Sequence, residues 1–249
     1  MRQENMAPDR DRIGKIQTVT GLIDPETLGV CLTHEHLLLD LSDLLPPPNT
    51  ASARGFYASP LTVEAAAYCR NYSEFSTAHH RLDSVETAVE ELGLFKQHGG
   101  QAMIDLTLPD IYRDPLGLRR ISRTTGVHVV MGCGFYVAAA HPPALADWSE
   151  EQIAAMIVAD IVEGAAAEEE SRSTGKGVVH RRNTGVRAGV IGEIGCSSPL
   201  HDDERKCLRA AARTQRQTGA TVFVHPGRAE TAPSEILDQL SSAGADLQR

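Results

Sequence analysis

Residues 29–40 read GVCLTHEHLLLD. An apolar, β-branched run closes on two histidines one residue apart, and then turns apolar again. Side chains alternate faces along a strand, so His34 and His36 would share one face while Glu35 points to the other. At the carboxyl end of a barrel strand, two imidazoles on the inner face could share a metal ion. Two polar residues where a strand simply runs out would spell the same letters, so the pattern alone leaves both readings open.

Four later runs resemble the first. They are QAMIDLTL (101–108), VHVVMGCGFY (127–136), AGVIGEIG (188–195) and ATVFVHPG (220–227). Runs that are apolar nearly throughout suit parallel strands covered on both faces. The segments between them carry helix punctuation. Ser84 is placed to cap a helix that ends near Gly99, and Ser149 with Gln152 three residues on spells a capping box for a helix ending near Gly164. HDDERKCLRAAARTQRQTGA (201–220) begins acidic and ends basic before Gly219, which suits both ends of a helix dipole. APSEILDQLSSAG (232–244) reads as the last helix. This alternation predicts an α/β chain with a parallel sheet or barrel. Residues 42–80, with Pro46-Pro47-Pro48, and residues 165–187, with an acidic run followed by a basic one, break the rhythm and read as exposed loops or insertions.

The chain has 249 residues, 41% of them hydrophobic and 23% charged, which is ordinary for a globular protein. Its 24 basic and 33 acidic side chains give a net charge of −9, which argues against nucleic acid or an anionic membrane face as a partner. No apolar run approaches the length of a membrane span. The five cysteines form no C-x-x-C pair and fit a reducing compartment, with the cytoplasm as the expected location. Residues 1–15, polar and mixed in charge, read as a flexible segment ahead of one incomplete (β/α) domain from residue 16 to 249.

Two further strand ends bear on the histidine pair. Glu193, between Gly192 and Gly195, closes an otherwise apolar strand, where a carboxylate is costly to bury unless paired, hydrogen-bonded or metal-bound. His225 closes the fifth run ahead of Pro226 and Gly227. A rim salt bridge and a loop histidine would account for each one singly; a common site accounts for His34, His36, Glu193 and His225 together.

GLIDPETLGVCLTHEHLLLD, TGVHVVMGCGFYV, GVIGEIGCSSPL and FVHPGR resemble the phosphotriesterase family of the amidohydrolase superfamily, and most closely its phosphotriesterase-related subgroup, in family order and at family-like spacing. The resemblance implies a (β/α)8 TIM barrel of which about the first five βα units are present. It implies two divalent metal ions, zinc being the usual choice. His34 and His36 would hold the more buried ion, Glu193 would bridge both in place of the carboxylated lysine of many relatives, and His225 would serve the second. A hydroxide held there would attack an amide of the N-acyl amino acid or N-acetyltaurine type, so the expected partner is a small, anionic substrate. Arg228 would pair with the anionic head group, and Tyr136 would line the pocket. An exposed surface arginine and a buried core tyrosine are the plainer readings of those two.

The family pattern also calls for a histidine ending strand six and an aspartate ending strand eight, and no histidine follows His225. The expectation is therefore a C-terminally truncated barrel whose open edges would need covering, for instance in a homo-oligomer. A phosphotriester or lactone hydrolase, and a catalytically dead form acting only by interaction, are the alternative readings.

Overall fold

The computed structural model describes residues 12–57, 59–60, 62–70, 76–168 and 181–248. Residues 1–11 of the expected N-terminal segment, 58, 61 and 71–75 of the first excursion and 169–180 of the second lie outside these.

The chain opens with an antiparallel hairpin, β1 (Ile16–Thr18) and β2 (Gly21–Ile23). No strand is expected there from the sequence, because three residues are too few to show an alternation. β3 (Cys31–Glu35) follows, and then β4 (Leu39–Asp40). The excursion expected as loop carries two short helices, α1 (Ala51–Tyr57) and α2 (Val63–Cys69). It returns through β5 (Arg81–Leu82), which pairs antiparallel with β4. There Arg81 Nε donates to Asp40 Oδ2 at 3.0 Å, tying the two ends of the excursion together.

The regular part of the molecule then runs as the sequence predicts, with one helix, Pro115–Thr125, beyond those expected. α3 (Val85–Gln97) starts at Ser84, whose hydroxyl accepts from Thr87 N–H. β6 (Ala102–Asp105) leads to α4 (Pro115–Thr125), capped by Asp114 and stopped by Gly126 in the left-handed region at φ 68°. β7 (His128–Met131) leads to α5 (Glu150–Val162), where the Ser149/Gln152 capping box forms in full. The second excursion differs from a plain loop: β8 (Ala166–Glu168) and β9 (Arg181–Asn183) pair antiparallel at its base. β10 (Ile191–Gly195), α6 (Asp202–Thr218), β11 (Val222–His225) and α7 (Ala232–Ser242) complete the chain.

β3, β6 and β7 form one parallel ladder and β10 and β11 another. A bridge between Cys133 and Gly192 joins the two, with Gly192 N–H donating to Cys133 C=O at 2.7 Å. Five strands thus lie in chain order, parallel within each ladder, and each is followed by at least one helix. This is the construction of a (β/α) barrel, and it brings every strand's carboxyl end to one face.

The core explains the order of burial. All five residues of β10 are buried, whereas the outer strands β3 and β11 are only partly covered. α5 presents Ile153, Ile157 and Ile161 at helical spacing, and α6 answers with Leu208, Ala211 and Ala212; all belong to the same buried cluster as Ile191 and Ile194. Each such isoleucine stabilises the fold by about 1.5–3 kcal/mol through burial.

Candidate metal centre

The sequence-predicted residues meet at the carboxyl ends of β3, β10 and β11. Glu193 stands at the centre, with its side chain only 2% exposed. His36 Nε2 lies 3.3 Å from its Oε1, while His34 Nε2 and His225 Nδ1 lie 3.2 and 3.0 Å from its Oε2. His34, His36 and Glu193 each offer one ligand atom within 4.8 Å of the others. His225 reaches the same carboxylate from β11, the strand paired with β10.

Glycine makes this approach possible. Gly192 has φ +113°, and a Cβ there would sit 2.2 Å from Phe223 C=O; one on Gly195 would sit 2.1 Å from the backbone of Tyr136. β10 is therefore pressed against β11 on one side and against the loop after β7 on the other, with Glu193 directed between the imidazoles.

Electrostatics keep that carboxylate charged. Burial by itself would push the Glu193 carboxyl up, but hydrogen bonds from His225 and His36 and the nearby His36 and His34 rings pull it down to about 2. His36 is shifted the other way: burial would lower it, and Glu193, Asp105 and Glu35 together raise it. The donor set of three imidazoles around one anionic carboxylate, with no Lys or Arg ion-paired to that carboxylate among the described residues, fits a divalent transition-metal ion.

A supporting layer lies beneath, and the sequence reading missed it. Thr107 Oγ1 is 3.0 Å from His36 Nδ1, so that ring can turn its Nε2 lone pair toward an ion only with Nδ1–H directed at Thr107. Asp105, fully buried at the end of β6, accepts from Leu37 N–H at 2.7 Å and Thr107 N–H at 3.1 Å, and so locks the turn that follows His36. A carboxylate closing the apolar run AMID was the available signal, the same one that marks Glu193. Glu204, also buried, accepts from Ala138 N–H, Ser197 N–H, Ser197 Oγ and His201 N–H, tying the loop after β7 to the loop after β10.

Tyr136 lies in this group: its hydroxyl is 3.3 Å from His225 Nε2. Burial first, then the Glu193 and Asp110 charges, push the phenol up to about 12, with Arg228 opposing. Its backbone N–H donates to Asp110 Oδ2 at 2.8 Å. Arg228 is exposed and, among the described residues, makes no hydrogen bond or ion pair with the cluster, though its charge is felt at Tyr136.

The comparison with known families decides the lineage. The model of the phosphotriesterase family matches residues 14–249. The chain belongs to the phosphotriesterase family. Human N-acetyltaurine hydrolase is 37% identical over 238 residues, covering 95% of this chain and 63% of that protein. A resiniferatoxin-binding protein from Rhodobacter sphaeroides superposes with a TM-score of 0.82 at 37% identity, over 95% of this chain and 62% of the other. The phosphotriesterase homology protein from Escherichia coli, solved with phosphate in its active site, gives 0.65 at 25% identity, over 90% and 61%. This phosphotriesterase-family chain thus spans 63% of the length of the curated human relative.

Proposed function

We propose that the protein is a metal-dependent hydrolase that cleaves the amide of a small anionic N-acyl compound, N-acetyltaurine or an N-acyl amino acid, to the free amine and the carboxylate. The observation that carries this reading is the convergence of three imidazole nitrogens, at 3.0–3.3 Å, on one buried carboxylate in a chain 37% identical to an N-acetyltaurine hydrolase. His34, His36 and Glu193 would hold one divalent ion, and Glu193 with His225 would serve a second, zinc being the best match to the donor set. Such ions, when bound, acidify water and polarise a carbonyl oxygen.

The chain's own residues supply the rest. Glu193 stays ionised and leaves both oxygens available as ligands. Thr107 fixes which nitrogen of His36 faces the site, and Asp105 holds the backbone that carries it. The Tyr136 hydroxyl, protonated at neutral pH, is placed beside His225 to donate to a substrate oxygen. Arg228 lies near enough to influence Tyr136 and would attract a sulfonate or carboxylate from solvent. The half-exposed side chains of His34 and His225 leave the mouth open to substrate.

All five cysteines are free, which suits the cytoplasm, and no helix among the described residues is long and apolar enough to cross a membrane. The test is direct. Purified protein is assayed for bound metal and for release of taurine from N-acetyltaurine, before and after chelation and after adding zinc. Stoichiometric metal with zinc-restored turnover supports the proposal, whereas absence of both metal and hydrolysis refutes it.

A further inference from the structure

A second polar cavity lies at the other end of the strands. It is an open cleft of about 290 Å³, lined by the β1–β2 hairpin from Gln17 to Leu22, by Arg119 and Arg123 of α4, and by Gly185 and Arg187. α4 returns from the catalytic face to the start of β7, so Arg123, in its last turn, marks the amino ends of the strands. Val19 N–H donates to Val129 C=O and seats the hairpin there. Arg187 lies four residues ahead of β10. The cavity therefore opens on the face opposite Glu193.

Its charges are unbalanced. Arg119 and Arg123 lie four apart and so share one side of their helix, and Arg187 comes from a separate segment. Among the described residues none of the three forms an ion pair. Several other arginines find carboxylates: Arg113 pairs with Asp160, Arg120 with Glu86, Arg209 with Glu150 and Arg213 with Glu151, whereas Arg54 and Arg216 donate to backbone carbonyls. The contrast is sharpest between neighbours, since Arg120 is paired while Arg119 beside it is not. In a chain with a net charge of −9, three arginines without a carboxylate partner line one cavity, and an anion between them would supply the missing countercharge.

We propose that this cavity is a binding site for a phosphate-bearing small anion of the diphosphate class, separate from the metal centre. Guanidinium groups match phosphate oxygens with paired, charge-assisted hydrogen bonds, and three of them outmatch a single monoanion. The volume lies at the bottom of the range for small-molecule sites, which suits a compact head group rather than a large ligand. A bound anion would link the hairpin, α4 and the segment ahead of β10, and so would stabilise the whole fold by mass action.

Inorganic pyrophosphate is the probe, titrated calorimetrically into chelator-treated protein so that the metal centre cannot hold it. Saturable one-to-one binding is expected, together with a melting temperature that rises with pyrophosphate and not with sodium chloride of equal ionic strength. Arg119→Gln combined with Arg123→Gln should weaken binding by about tenfold or more. Arg187→Gln, on a different element, should weaken it too, whereas Arg120→Gln should not. Absence of saturation at millimolar pyrophosphate, equal binding by the arginine variants, or loss of binding in Glu193→Gln instead would each overturn the proposal.

Discussion

β3 and β10 both deliver residues to the candidate metal centre, yet they are housed very differently. β10 is buried along its whole length, and the Glu193 side chain is 2% exposed; β3 is half open, and the His34 side chain is 49% exposed. The division follows from the cost of desolvation. An ionised carboxylate is expensive to bury and needs fixed donors on every side, which an interior strand between two neighbours supplies. An imidazole can be neutral and amphipathic, so it tolerates an outer strand and gives a ligand or substrate a way in. The charge sits where the fold is tightest, and access comes from where it is loosest.

Substitutions can break this comparison. Glu193→Gln keeps the shape and removes the charge; metal affinity should fall by about a hundredfold or more, with turnover lost and the circular dichroism spectrum retained. His34→Ala should cost clearly less, and an equal loss in metal titrations would show that the outer strand is as critical as the inner one. Next in size, Ile191→Ala in fully buried β10 should destabilise by about 2–5 kcal/mol in urea melts. Leu32→Ala in β3, at 39% exposure, should cost under about 1 kcal/mol. Thr107→Val should lower metal affinity by about tenfold through His36 while leaving the melting temperature of the metal-free protein nearly unchanged.

A pH-dependent effect concerns a second buried carboxylate. Glu193 is held near 2 by its imidazoles, whereas Asp110 is pushed up to about 7 by burial, only partly offset by the Tyr136 and Asp110 backbone N–H groups and by Arg113. Its Oδ1 has no hydrogen-bond partner. Because the folded state raises this group above its unfolded value of about 4, its contribution to stability is complete below about pH 4 and is lost as pH rises through about 7. Asp110→Asn cannot titrate. Its melting temperature should therefore decline less than that of the parent between those limits, by a few degrees at most; parallel pH profiles would show that Asp110 is compensated after all.

Much of this architecture can be read from residue order. The five barrel strands fall inside the apolar runs, and the caps at Ser84, Ser149 and Gly219 form where their spelling places them. These features are local, so a few neighbouring letters suffice. α4 was within reach as well, since Asp114, Pro115 and Gly126 spell its start and stop. The hairpins β1–β2 and β8–β9 were not legible, because their three-residue strands gain their stability from pairing and not from pattern. The roles of Thr107 and Asp105 were hidden for another reason, although a carboxylate closing AMID marks Asp105 itself. Their partners His36 and Leu37 are about seventy residues away in sequence, and only the β3–β6 ladder brings them together. His34, His36, Glu193 and His225 stood out because each sits at the polar end of an apolar strand. Arg228 lay in the same motif, yet the fold leaves it exposed and outside the cluster.

Gly192 and Gly195 bear on how such a site can diverge. With backbone atoms about 2 Å from where their β-carbons would go, neither position can accept a side chain without parting β10 from its neighbours. The floor under Glu193 is thus closed to stepwise mutation. On the proposed reading, variation in what the site accepts would fall to the loops that follow the strands, where Tyr136 and Arg228 lie, while the two glycines hold the base of the site in place.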